Sequence, residues 1–173
     1  MTISLSSIAI PKASFGVTEL HKISIGSTQV WASDAFTPVR ANIATGHIST
    51  YEWKRVIGLT ADTASYPGST VTSDQLVVPA AGTGVTITAS IRWENSKVAS
   101  YPVSMRLKVD GVIVKGETQF DIGAKASKVC IVEATNQTVR VGSLVTVEST
   151  NDFVTGPVIV ADVASNFLRV TKL

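Results

Sequence analysis

Charge is scarce in this chain. Asp, Glu, Lys and Arg make up 16% of 173 residues, against about 25% in an ordinary soluble domain. The 15 Lys and Arg are scattered and the formal net charge is only +2. A nucleic-acid-binding surface needs clustered cations with aromatic residues between them, so that class is excluded. One cysteine, Cys130, excludes an intramolecular disulfide framework. In Lys128-Val129-Cys130-Ile131-Val132 it reads as a buried, inert thiol. No run of about 18 apolar residues is present, so no helical membrane insertion is expected. Met1 to Phe15 lacks a basic n-region and Pro11 breaks its short apolar run, so it is not expected to be a secretory signal. Helical periodicity is missing as well. No window shows a convincing i, i+3, i+4 apolar stripe.

Val, Ile, Thr and Ser fill the deficit. β-branched and hydroxyl residues suit a pleated, half-wet surface and are poor helix formers. Val85, Ile87, Ala89, Ile91 and Trp93 alternate with Thr86, Thr88, Ser90 and Arg92, the period-2 signature of a half-buried strand. A second alternation sets Val103, Met105, Leu107 and Val109 against Ser104, Arg106 and Lys108. Asp110-Gly111 closes it, the dipeptide suited to a type I′ hairpin turn, and Val112 to Lys115 runs back. Burying Val85, Ile87, Ile91 and Trp93 contributes about 1.5–3 kcal/mol per large side chain. Such strands need a second layer, and eight to ten of them with turns at this spacing predict an all-β sandwich of jelly-roll type.

Further strands are expected over Ile48 to Ile57, with Tyr51, Trp53 and Ile57 turned to the core, and over Asp74 to Pro79. Others are expected over Thr118 to Ile122, Lys128 to Ala134, Leu144 to Glu148 and Val158 to Val163. Asn136-Gln137-Thr138 reads as a turn and Ser33 to Thr45 as a polar connector. Before that connector, His21 to Ile25 and Gln29 to Trp31 flank Gly26-Ser27-Thr28, a compact hairpin with Trp31 as its one large apolar anchor. A lone two-stranded ribbon is marginal in water. The hairpin either packs on the main domain or docks on a partner. The expected division is a docking arm over residues 1–36 and a sandwich over residues 37–173.

Chemistry is hard to find. His21 and His47 have no Cys, Asp or Glu at metal-ligand spacing. Asp152 beside Asn151 is the best loop candidate for calcium, and one pair is thin for an ion that takes six or more oxygens. No Gly-x-Ser-x-Gly elbow raises the prior for a nucleophilic serine. Glu94, Glu117, Asp121, Glu133, Glu148, Asp152 and Asp162 could supply a facing pair of carboxylates, yet most read as solvated. No catalytic residue, cofactor or metal is therefore assigned, and an enzyme ranks third among the readings. Tyr66 and Tyr101 could stack on sugars or, beside Pro67 and Pro102, anchor loops.

Two resemblances add to this. Lys22-Ile23-Ser24-Ile25-Gly26-Ser27-Thr28-Gln29-Val30-Trp31 resembles an element near the start of minor tail and related virion proteins of long-tailed phages of actinobacteria. Ala32 stands here where Pro often follows the Trp. The resemblance implies a structural protein of the virion, assembled in the host cytoplasm, that docks on other virion proteins through Ile23, Ile25, Val30 and Trp31. Leu76-Val77-Val78-Pro79-Ala80-Ala81-Gly82-Thr83, followed by Val85 to Trp93, is similar to the jelly roll of the tumour-necrosis-factor and complement globular-head superfamily. The apolar end, Asn166 to Leu173, fits the strand that closes that fold. This second resemblance implies a homotrimer packed around the sheet that carries the terminal strands, and Phe120, Phe153 and Phe167 are the expected interface residues. The alternative is that all three are intradomain core, since interface and domain cores share composition. The rival function is a carbohydrate-binding module or adhesin contacting host cell-surface glycans.

Overall fold

The structure, a computed structural model, describes the backbone of residues 13–15, 18–20, 22–25 and 28–32. With side chains it describes residues 36–44, 46–152, 156–160, 162 and 164–172. The chain divides into two compact units, Met1–Ala35 and Phe36–Leu173. The first holds two antiparallel ladders: β1 (Ala13–Phe15) with β2 (Thr18–Leu20), and β3 (Lys22–Ile25) with β4 (Thr28–Ala32). The β1–β2 ladder has no counterpart in the sequence reading.

The second unit is a sandwich of two antiparallel sheets, with no helix among the described residues. Its strands are β5 (Val39–Ile43), β6 (Lys54–Arg55), β7 (Leu59–Ala61), β8 (Thr70–Thr72), β9 (Gln75–Val77) and β10 (Gly82–Glu94). They continue with β11 (Tyr101–Val109), β12 (Val112–Ile122), β13 (Ser127–Val139), β14 (Leu144–Thr150), β15 (Val158–Ile159) and β16 (Phe167–Lys172). The first sheet runs β13-β10-β16-β5-β7, with β15 also on β10, and the second runs β12-β11-β14-β9-β8, with β6 also on β14. Consecutive strands repeatedly change sheets. The C-terminal strand β16 lies between β10 and β5 near the middle of the first sheet.

Alternation builds the core as expected. Val85, Ile87, Ala89, Ile91 and Trp93 of β10 are fully buried, and they face Val103, Met105 and Leu107 of β11 and Val145 and Val147 of β14 in one cluster. Asp110 and Gly111 both have positive φ, 51° and 81°, and join Val109 to Val112 as the primed turn requires. Two buried amides replace missing ladder bonds. Asn166 Oδ1 accepts Arg92 N–H at 2.7 Å and its Nδ2 donates to Val160 O at 2.7 Å. Asn95 Nδ2 donates to Ala99 O, Ile122 O and Gly123 O, fastening the loop after β10 to the end of β12.

Several expectations are corrected. The stretch read as a polar connector contains β5, where Val39, Ala41 and Ile43 alternate inward across intervening polar residues. Asn136 is not in a turn. It sits inside β13 at φ 56°, where Val85 pairs with Gln137 but Ile87 pairs with Ala134, so the extra residue is a β-bulge. Val112 to Ile122 is one strand rather than two. Tyr51 and Ile57 do not face the core. They are 62% and 56% exposed, while Val56 takes the inward place.

Candidate functional site

The N-terminal hairpin is formed by backbone pairing of Ile23 with Trp31, Ser24 with Gln29 and Ile25 with Thr28. Val30 falls at a register shift between the first two pairs. A bulge at that point pins the register of a short ribbon that would otherwise slide. Ile23, Ile25, Val30 and Trp31 thus lie within nine residues on two paired strands. Gly26 and Ser27, expected from the sequence to form the turn, are outside the described residues.

The outward face of the first sheet is the second candidate. Period-2 geometry sends Thr88, Ser90 and Arg92 of β10 to that face, with Phe167 and Arg169 of β16 and Val129, Ile131 and Glu133 of β13. Ser90 pairs with both Ile131 and Phe167, so one row across the sheet reads Ile131, Ser90, Phe167 and Asn42. Ile131 is 55% exposed and Val129 42%. Phe167 is half-buried because the guanidinium carbons of Arg40 and Arg169 lie 4.7 and 5.2 Å from its ring centre, a cation–π arrangement. The neighbouring row is polar, with the Thr88 hydroxyl donating to Glu133 at 3.1 Å.

The three phenylalanines named as interface residues therefore separate. Phe167 is on this outward face. Phe120, on β12, packs against the core cluster from the edge of the second sheet. Phe153 lies outside the described residues. The exposed pair Val129 and Ile131 was missed, although the signal was present. Both alternate with Cys130 and Val132, which are buried, so they had to point outward.

The outward face of the second sheet carries the densest polar network. Glu148 of β14 accepts from Arg106 at 2.6 Å and from Lys108 at 2.8 Å, both on β11. Burial opposes ionisation of this carboxyl, but the hydrogen bonds and charges of Lys108 and Arg106 prevail and hold it below the usual carboxylate range. Trp53 covers Arg106 from outside, 4.2 Å from ring centre to guanidinium carbon. Its ring is therefore engaged with this chain's own cation. Tyr51 remains the broadly exposed aromatic nearby, and Tyr66 and Tyr101 are half-buried.

Asp162, Cys130 and His47 are engaged within the fold. Asp162 pairs with Arg92 at 3.3 Å, and the Ser165 hydrogen bonds, together with that arginine, hold its carboxyl low. Burial pushes the Cys130 thiol up to about 11, against a small pull from Lys128, so it is a poor nucleophile at neutral pH. His47 and Ser149 meet at 3.1 Å, but both are buried in the sandwich. Asp152 is exposed while Asn151 is buried. Among the described residues no group of three or more His, Cys, Asp or Glu is placed to hold a metal ion.

No family model and no curated protein matches the chain. Solved structures do. The Eiger TNF of S. frugiperda superposes with a TM-score of 0.53 at 13% identity, over 80% of this chain and 92% of that one. Murine APRIL at pH 5.0 superposes with a TM-score of 0.53 at 11% identity, over 80% of this chain and 99% of that one. At such identities the likeness speaks for the fold alone. The second unit is a β-sandwich of the TNF-like jelly-roll type.

Proposed function

We propose that this chain is a non-enzymatic structural protein of a phage virion, a minor tail or tail-tip component or a head decoration. In this reading the first unit attaches it to the particle and the jelly roll is displayed. The observation that carries the proposal is the hairpin. Of the ten residues that resemble a phage tail-protein element, Lys22–Ile25 and Thr28–Trp31 lie on the paired strands β3 and β4, in the first unit. A ribbon of that size is marginal alone, so contact with another virion protein is what would hold it. The non-enzymatic part rests on how the side chains are used. Glu148, Asp162 and Glu133 are committed to internal bonds, and the His47–Ser149 pair is buried.

The displayed domain is proposed to be a homotrimer. The superfamily that it resembles packs three jelly rolls around the sheet with the terminal strands, and here that sheet presents Ile131, Val129 and Phe167 outward. A closed cyclic assembly would cover them. The low charge of the chain agrees with a partly covered surface.

A host-surface glycan is the second reading, favoured by the exposure of Tyr51 at one end of the sandwich. Glycan-array binding that Tyr51→Ala abolishes would favour it. The leading proposal is tested by deleting residues 1–35. The expected outcome is a folded 36–173 fragment that no longer enters particles. A fragment that cannot fold, or that still assembles into particles, would refute the division of roles.

A further inference from the structure

Residues 46–50 form a strap that belongs to both sheets. On one side Gly46 N–H donates to Ile159 O, Ile159 N–H to His47 O and Ser49 N–H to Pro157 O, at 3.0–3.1 Å. Ile159 in turn pairs with Trp93, so the strap extends the first sheet. On the other side Thr50 O accepts the Asn151 N–H at 2.7 Å and the Thr150 hydroxyl at 3.0 Å, from the end of β14 in the second sheet. Alternation turns His47 and Ser49 inward and leaves Ile48 outside.

Under the strap the inward series of β14, Val145 and Val147, ends in a hydroxyl, Ser149, that is fully buried. His47 answers it, with Nε2 3.1 Å from Ser149 Oγ. The imidazole also meets Trp93 edge-on, ring centres 6.1 Å apart and planes at 65°. Either tautomer allows the serine bond, so a second proton changes the net charge rather than the bond.

The surrounding charges do not offset a cation there. Lys54, the β6 residue paired with Ser149 of β14, is the charge that acts on the ring, and it is positive. Its counter-ion Glu52 is exposed and 3.9 Å from it. Arg55 donates to Ser73 O. Glu148, next to Ser149, faces the opposite side of the sheet and is held by Arg106 and Lys108. Glu94, next to Trp93, and Asp152, next to Asn151, are exposed.

We propose that His47 is a proton-controlled latch on this end of the sandwich: neutral, it holds the strap to β14, and on taking up a proton it releases residues 46–50 while the two sheets stay paired. Two buried polar groups favour the wet, open form. Ser49 Oγ and Trp93 Nε1 have no hydrogen-bond partner in the closed one and would gain water. Burial, and then the Lys54 charge, hold the imidazole below the usual histidine range, so the released strap binds the proton more readily than the closed one. The closed form is therefore fully favoured above about pH 6.5 and loses ground as pH falls below it.

Amide hydrogen exchange on the full chain at pH 7.5 and 5.0, corrected for intrinsic rates, tests this. Protection at Ser49 and Asn151 is expected to fall by about tenfold or more at the lower pH, with Ile87 and Leu168 unchanged and no fall in His47→Gln. Equal protection at both pH values, a fall shared by Ile87 and Leu168, or the same fall in His47→Gln would overturn the latch. Should that variant not fold, the wild-type His47 resonance, assigned with His21→Gln, decides. A midpoint below about 6.5 that tracks the loss of Ser49 protection supports the latch, and one at or above it refutes it.

Discussion

The guanidinium carbon of Arg106 sits over the Trp53 ring, 4.2 Å from its centre, and that guanidinium reaches Glu148 at 2.6 Å. The stack shields the ion pair, whose side chains are only 19% and 14% exposed. Exposed pairs contribute about 0–1 kcal/mol, and breaking fully buried ones costs about 3–5 kcal/mol. Glu148→Gln, which leaves Arg106 and Lys108 without a counter-charge, is expected to cost about 1–2 kcal/mol at pH 7, between those limits. Because the folded carboxyl sits below its ordinary value, this contribution is present above about pH 4.3 and fades as pH falls through the folded pKa. Urea midpoints of both proteins should therefore converge in acid. Parallel pH curves would show that the pair is not stabilising.

Asn166 is expected to matter more than its size implies. It is fully buried and satisfies Arg92 N–H and Val160 O at once. Asn166→Ala leaves both without that partner, at about 1–3 kcal/mol per unsatisfied buried group. A fall of about 2–4 kcal/mol in the free energy of unfolding, read from urea denaturation, is the expected result. A change below about 0.5 kcal/mol would mean that the amide is not the junction described.

At the β11–β12 turn, Gly111 has φ 81° and a Cβ there would meet nothing within 4 Å. The cost of replacement is thus conformational alone. Gly111→Val should cost about 1–2 kcal/mol and Gly111→Asn much less. Equal thermal shifts for the two would contradict a type I′ turn.

The fold was legible wherever alternation was long and clean. β10 and β11 each carry an inward set with turn residues at the end, and both sheets follow from them. The bulge at Asn136 was not legible, because a sequon-like Asn-Gln-Thr reads as a turn unless the partner strand is known. Val56 was lost to Ile57 for a similar reason. β6 is two residues long, too short for a period to declare itself. Of the candidate surfaces, the hairpin's strand pairing was readable. Ile131 was overlooked because the stretch around Cys130 was read only for its buried thiol. His47 and Ser149 are 102 residues apart, and no local pattern pairs them.

A trimer through the first sheet makes a separate prediction. The full chain at micromolar concentration should sediment as a trimer, and Ile131→Lys, which puts a charge in the row with Ser90 and Phe167, should yield a monomer with an unchanged far-ultraviolet spectrum. A wild-type monomer would remove the trimer from the proposal, and a trimeric Ile131→Lys would move its interface elsewhere.

The most direct test of the proposed virion role is to purify phage particles from a lysate of cells that express this chain and measure where the chain resides. Attachment through the hairpin predicts that the wild-type chain stays with intact particles through a density gradient, whereas Trp31→Ala falls into the soluble fraction. A wild-type chain recovered only in the soluble fraction would contradict the proposed function.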